Sequence, residues 1–252
     1  MKLIKLFLFL LLDLNKFVIL NKDNVNMNMN LNKYKMEQLL NDLKNENVIK
    51  TSSVYNSMLQ VDRADFTERN PYYDSPQSIG YNATISAPHM HAYALEYLAP
   101  FCQNGIHILD VGSGSGYLTV ALSKMINDSG VVIGVEHIDD LYKKSIENIS
   151  KHHSDLLKNN KVIIFNEDGR KGLKKYAPFK IIHVGAAAEE IPKDLIEQLD
   201  NNGRMFIPVG KPNRGQWIYV VDKDQNGIVS YNQIMGVSYV PLTDKEKQLS
   251  RY

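Results

Sequence analysis

Only one cysteine, Cys102, occurs in the 252-residue chain. That excludes an internal disulfide and any cysteine-rich metal site, so nothing demands an oxidising compartment. An excess of either charge is also missing. The 29 basic and 28 acidic side chains leave a formal net charge of +1, without the surplus of Lys and Arg that nucleic-acid binders use to neutralise phosphates. Nor is there an uninterrupted apolar run of about 20 residues, the length that spans a bilayer. Asp13 ends the run from Leu6 to Leu12, and Asn15 and Lys16 interrupt the one from Leu14 to Leu20. What remains has the balance of an ordinary globular protein, 44% hydrophobic and 23% charged, rather than of a disordered chain. Its length suits one domain of about 200 residues with an extension, or two small domains.

The extension comes first. Lys2 and Lys5 ahead of the apolar run resemble the opening of a secretory signal, but no small-residue cleavage site follows. A targeting leader and a vestigial or membrane-surface segment are the two alternatives. Residues 21–35 alternate Asn with Met, Val or Leu, and their Asn and Lys content reads as a solvated linker rather than a strand. From Met36 the spacing of Met36, Leu39, Leu40 and Leu43 places four apolar side chains on one helical stripe. Residues 1–35 are therefore expected to be leader plus linker, and 36–252 the folded domain.

From about residue 105 apolar runs alternate with helical patterns. The segments 106–111, 131–136, 161–167, 179–184 and 203–209 are candidate strands, each nearly continuous in apolar residues, as parallel strands buried on both faces read. Between them Leu118, Leu122 and Met125, and later Leu195, Ile196 and Leu199, recur at helical spacing. This alternation predicts an α/β fold, a doubly wound Rossmann-like sheet with right-handed crossovers and helices on both faces. The segment from Gln216 to Asp222 and the run 228–240 have no helix between them and should add antiparallel strands. Ligands of such sheets lie beyond the carboxyl ends of the strands, where strand order switches.

At the end of the first of these strands stands Asp110-Val111-Gly112-Ser113-Gly114-Ser115-Gly116. Glycines allow a tight turn and close approach of a ligand, and the following helix offers free N–H groups; a Gly-rich turn without a ligand is the plain alternative. Glu136, 24 residues past Gly112 at the next strand end, is placed to accept hydrogen bonds from ribose hydroxyls, or is a solvated carboxylate. A dinucleotide fold would use G-x-G-x-x-G to seat a pyrophosphate, whereas here the spacing is G-x-G-x-G and Asp110 lies two residues before the first Gly. A carboxylate there repels phosphate and attracts an ammonium, which favours S-adenosylmethionine over NAD. Asp168, before Gly169, would accept from an adenine amino group or cap the next helix.

Upstream, residues 70–87 carry too many turn formers for regular structure until Pro88, which suits the first turn of a helix through Leu98. Pro71-Tyr72-Tyr73 faintly echoes an amino-methyltransferase motif but lacks its second proline and follows no fourth strand. His89-x-His91 has the look of a metal pair without a third ligand, so no metal is expected.

The segments YYDSPQSIGYNATISAPHMHAYALE, LDVGSGSGYLT, HVGAAAEEIP, RMFIPVG and MGVSYVPLTDKEKQ, in that order, resemble the protein-L-isoaspartate O-methyltransferase family, from about Val54 to Tyr252. Glu136 departs from the Asp usual there but keeps the carboxylate. The resemblance implies methyl transfer from S-adenosyl-L-methionine to the α-carboxylate of L-isoaspartyl residues in damaged proteins, with activity on D-aspartyl residues left open. The ester then closes without enzyme to a succinimide that hydrolyses partly to aspartate. It implies Ser86 as the active-site residue and Ala83, Thr84, Ile85 and Ser86 as lining of the cofactor cleft. His91, Asp110, Gly112, Ser113, Gly114, Ser115, Gly116, Glu136, His137, Asp168 and Gly169 are implied as cofactor contacts, with Thr243 and Gln248 in a C-terminal segment that closes over them.

Such chemistry needs few reactive groups. An α-type carboxyl has a pKa of about 3.5 and is ionised at neutral pH, so no general base is required, in keeping with the lack of a convincing Ser/His/Asp or Cys/His arrangement. Ser86 would orient a carboxylate oxygen rather than act as a nucleophile; its plain alternative is a helix N-cap-type residue. Two rivals are a nicotinamide-dependent oxidoreductase and a non-catalytic cofactor-binding scaffold. Isoaspartyl-containing peptides and proteins are the expected partners of a cytoplasmic monomer that binds no nucleic acid and has no membrane span in its folded domain; the apolar start leaves the secretory pathway as the alternative.

Overall fold

A computed structural model describes residues 30–211 and 214–250. The hydrophobic leader and the linker up to residue 29 lie outside the described residues.

Helix α1 covers residues 30–45, and the stripe of Met36, Leu39, Leu40 and Leu43 is its buried side. Residues 30–35, whose Asn alternation reads as linker, are helical and mostly exposed. Once a helix is anchored by a packed stripe, extending it costs little per residue. Helix α2 (Ser52–Leu59) starts at Thr51, whose side chain accepts the Val54 N–H at 3.4 Å. Helix α3 (Pro88–Leu98) begins with proline in its first turn, where a missing N–H costs nothing.

The main sheet has seven strands, β3 (His107–Val111), β4 (Val131–Val135), β5 (Val162–Phe165), β6 (Phe179–Val184), β7 (Leu199–Val209), β8 (Gln216–Lys223) and β9 (Val229–Val237). Their spatial order is β5-β4-β3-β6-β7-β8-β9. The first five in that order are parallel, and β8 and β9 close the sheet antiparallel, as the helix-free C-terminal segment predicts. Helices α4 (Tyr117–Met125), α5 (Asp139–His152) and α6 (Ser154–Lys158) follow β3 and β4 in the chain, and α7 (Lys193–Gln198) precedes β7. Leu199, read above with the helical pattern, is the first residue of β7, paired with Phe179: its burial serves a sheet face, which apolar spacing alone does not distinguish from a helix face.

Alternation along β3 sends Ile108 to one core and Leu109 to the other. The first packs against α1–α4 through Leu40, Val54, Leu95 and Val120. The second packs Ile133, Ile182, Met205 and Leu195 on the opposite face. Each fully buried aliphatic side chain there contributes about 1.5–3 kcal/mol. Strand order reverses between β3 and β6, so the crevice lies beyond Val111 and Val184.

Residues 77–85 correct the expectation of irregular structure before Pro88. They form a hairpin, β1 (Gln77–Gly80) and β2 (Ala83–Ile85), with Gly80 opposite Ala83. Its two-residue turn, Tyr81-Asn82, has φ of 53° and 54°, the doubly left-handed turn that matches strand twist. Tyr is an unusual residue for that conformation, which is why turn chemistry did not announce the hairpin.

Candidate active site

The carboxyl ends of β3, β4 and β5 deliver the polar residues of the crevice. Past β3 the loop glycines Gly112, Gly114 and Gly116 have φ of 73°, 51° and 87°, a left-handed backbone that other residues adopt only at a cost. The Gly112 and Ser113 N–H groups both donate to the Val135 carbonyl, at 2.8 and 3.1 Å, which tethers the loop to β4. A Cβ on Gly112 would meet nothing within 4 Å; the loop's open side faces the crevice.

Asp110 is 1% exposed. Its Oδ1 lies 2.8 Å from His183 Nδ1 and its Oδ2 accepts from the Thr119 hydroxyl at 2.6 Å. The expected ammonium partner would therefore meet the remaining lone pairs of a carboxylate already held in place by β6 and α4. Glu136 is also buried. Its Oε2 accepts the Gly114 N–H at 3.2 Å and its Oε1 the Ile138 N–H at 2.8 Å. Burial raises its pKa, partly offset by those backbone donors.

Asp168 caps the turn that follows while also lining the cleft: its carboxylate accepts the Arg170 N–H and pairs with the Arg170 guanidinium at 2.7 Å. That hydrogen bonding holds its carboxyl below the usual range. Gly169 packs so closely on β3 that a Cβ would lie 2.6 Å from Val111 Cγ1.

A lid closes the crevice. Helix α8 (Lys245–Leu249) is capped by Asp244. Gln248 Oε1 lies 2.8 Å from His137 Nε2, so that nitrogen donates, and Gln248 Nε2 donates to the Tyr81 carbonyl at 2.8 Å. Lys245 pairs with Asp139 at 2.8 Å, and the Tyr81 hydroxyl donates to Asp140. The hairpin turn, the β4–α5 junction and the C-terminal helix are thereby joined.

Ala83, Thr84, Gly112, Gly114, Glu136, His137, Asp168, Gly169, Thr243 and Gln248 line one cleft beneath this lid. Thr84, Ile85, Ser86, His91, Asp110, Ser113 and Ser115 line a small adjoining cavity. Of the predicted residues Gly116 lines neither; it caps α4. On the outer side lies an open groove of about 410 Å³ between Pro76, His89, Met90 and residues 236–240, and its wall again includes Thr84 and Ser86. Ser86 thus stands between the outer groove and the small cavity, and Thr84 borders both of these and the cleft. His89 and His91 turn to different partners, Asp74 at 2.9 Å and Arg63 at 3.1 Å.

Several residues at the site carry no local motif. Arg63, fully buried, donates to the carbonyls of Pro71 and Ser86 at 2.9 and 3.1 Å. Tyr239, whose phenol burial pushes up to about 12, interacts with the Ser86 side chain. In sequence Arg63 sits between Asp62 and Asp65 and reads as surface charge; only the tertiary fold buries it.

The family model described as Protein-L-isoaspartate(D-aspartate) O-methyltransferase matches residues 34–247. The chain is 48% identical over 214 residues to the Caenorhabditis elegans protein-L-isoaspartate O-methyltransferase, covering 85% of this chain and 95% of that one. It is 46% identical to protein-L-isoaspartate O-methyltransferase 1 of Arabidopsis thaliana, covering 85% and 94%. A Plasmodium falciparum chain, whose crystal structure is described as a protein-L-isoaspartate O-methyltransferase in complex with S-adenosyl-L-homocysteine, superimposes with a TM-score of 0.77 at 36% identity, covering 82% of this chain and 98% of that one.

Proposed function

The chain belongs to the protein-L-isoaspartate(D-aspartate) O-methyltransferase family, and from that premise we infer that it repairs proteins by methylating the α-carboxylate of L-isoaspartyl residues with S-adenosyl-L-methionine. One observation carries the inference to these residues: Ser86 and Thr84 form the wall shared by the outer groove and the small cavity that adjoins the cleft, and Thr84 lines the cleft as well. Such a wall lets a donor on one side meet an acceptor on the other.

The inner cleft suits the donor. The open Cβ direction of Gly112 and the carboxylates of Glu136 and Asp168 match a ligand bearing hydroxyl and amino groups and no phosphate. When bound, S-adenosyl-L-methionine supplies a methyl on a sulfonium cation. Glu136 would accept from ribose hydroxyls, Asp168 from the adenine amino group, and Asp110 would face the ammonium end. Thr243 and Gln248, in the lid, would exclude water from the joined clefts.

The outer groove suits the acceptor. Most of its lining residues are small or apolar, among them Pro76, Ala87, Met90, Gly236, Val237 and Val240, appropriate to a lesion met in varied sequence contexts. Ser86 would hold one carboxylate oxygen by a hydrogen bond and leave the other free to attack. The cationic donor and anionic acceptor lose charge as methyl passes, so a dry, preformed site favours the step, and alignment supplies several kcal/mol more, on the order of 7–11 kcal/mol at the most. No residue has to take a proton.

Transfer of labelled methyl to an isoaspartyl peptide, beside its normal aspartyl twin, tests this reading. Labelling confined to the isoaspartyl peptide is expected; equal labelling of both, or of neither, contradicts it. Among the described residues no helix is long and apolar enough to cross a membrane. The balanced charge and single thiol support a cytoplasmic monomer that engages no nucleic acid, checked by mass spectrometry of the mature N-terminus and by sedimentation.

A further inference from the structure

Arg63 is 0% exposed, and among the described residues its hydrogen bonds run to the Pro71 carbonyl, the Ser86 carbonyl and His91 Nδ1, none to a carboxylate. Its guanidinium also lies 5.1 Å from the centre of the Tyr117 ring. Asp74 attracts it electrostatically without a hydrogen bond, and a buried cation hydrogen-bonded only to neutral acceptors is costly and calls for a reason.

The His91 contact supplies one. A guanidinium only donates, so a ring nitrogen 3.1 Å from it must be an unprotonated acceptor. Turning the ring over would set a C–H against a buried N–H and orphan that donor. The neutral ring then carries its hydrogen on Nε2. That nitrogen has no partner among the described residues, and the ring lines the small cavity beside Ser86 and Asp110. We infer that Arg63 is a positioning residue: it locks the Nε2-protonated tautomer of His91, so that the cavity between groove and cleft presents a fixed neutral N–H donor to a ligand carboxylate.

The groups facing the His91 ring agree. Arg63 comes from the turn after α2, Tyr117 from α4 at 4.9 Å between ring centres, His183 from β6 and His89 from its own helix. Burial and the positive neighbours hold its pKa well below the ordinary histidine value. The ring therefore stays a neutral N–H donor in a cavity that the Asp110 carboxylate also lines, with the Arg63 guanidinium behind the ring as the positive charge that favours an anionic carboxylate. Two sources offer that group, the amino-acid end of the cofactor and the isoaspartyl side. The inference rests on the methyl-transfer reading for the ligand, but the tautomer does not.

Long-range 15N–1H correlation on the intact protein reads the tautomer without any substrate. A single Nε2–H form of His91, unchanged from pH 8 to pH 5.5 (about one unit below a free histidine), is expected. An Nδ1–H form, a mixture, or an imidazolium overturns the proposal even if methyl transfer is confirmed. Arg63→Met, with Arg63→Lys beside it, supplies the second arm. Loss of the lock in Arg63→Met should weaken adenosylhomocysteine at least tenfold in calorimetry if the cofactor's carboxylate is the ligand. It should instead raise the peptide KM tenfold with cofactor affinity kept if the acceptor is. Both constants unchanged in a folded Arg63→Met protein, or kcat alone reduced, contradicts it. Should that variant not fold, the correlation spectrum of the unaltered protein decides.

Discussion

The two walls of the active site are built by different means. The inner wall comes from backbone: parallel strands end at one level, glycines turn there, Asp110 is the penultimate residue of β3, and Glu136 and Asp168 follow within three residues of β4 and β5. The outer wall comes from pieces remote in sequence. Ser86 is held through Arg63 and Tyr239, and the lid is fastened by Gln248 to Tyr81 across 167 residues. A donor common to many enzymes is thus met by geometry that belongs to the sheet, and the special acceptor by geometry that belongs to this chain. Perturbing the first wall should cost cofactor binding, and perturbing the second should cost turnover.

The largest effect is expected at Gly169. A side chain there would enter Val111, itself buried in β3. Gly169→Leu should destabilise the fold by about 1–3 kcal/mol from overpacking and abolish adenosylhomocysteine binding, as read by thermal melting and calorimetry; wild-type affinity would show that the inner wall tolerates distortion. Glu136→Ala comes next. Losing a buried carboxylate acceptor, with charged hydrogen bonds worth about 1.5–3 kcal/mol each, should weaken the cofactor at least tenfold while peptide KM hardly moves. Equal losses in both would remove the distinction between the walls.

Ser86→Ala should reverse that pattern, lowering kcat by more than about tenfold, the scale of one charge-assisted hydrogen bond, while adenosylhomocysteine still binds. Unchanged turnover takes Ser86 out of its role.

A pH series sharpens the inner wall further. Because the Glu136 pKa is raised in the fold, the native state takes up this proton before the unfolded chain does. Its contribution to stability therefore grows as pH falls through the raised pKa, and diminishes as pH rises through it. Cofactor affinity should move the opposite way, falling on acidification because a protonated carboxyl accepts fewer hydrogen bonds. The difference between wild type and Glu136→Gln isolates both trends; trends of the same sign contradict the assignment. The smallest effect belongs to the lid, where Gln248→Ala should speed adenosylhomocysteine release several-fold in stopped flow and leave the fold intact.

The same contrast explains what could be read without coordinates. Buried parallel strands are continuous apolar runs, so β3 to β7 and the glycine loop were visible in the residues themselves, whereas the strand order that locates the switch point was not. The stripe that begins at Met36 marked α1, though not its start. The β1–β2 hairpin escaped because Tyr81 and Asn82 are not the turn pair that sheet hairpins favour. Arg63 escaped because burial of a charge is a property of everything packed around it, and Tyr239, in the loop after β9, because a lone loop tyrosine has no spacing that marks a partner. The resemblance to a known family singled out Ser86; the residues that hold it became visible only in three dimensions.

A crystal structure of the protein with adenosylhomocysteine and an isoaspartyl peptide tests the partition directly. The sulfur should lie in the cleft between the glycine loop and Glu136, with the peptide carboxylate in line with it at the Ser86 hydroxyl and the peptide backbone along residues 236–240. A sulfur outside that cleft, or a carboxylate seated away from Ser86, would contradict the account.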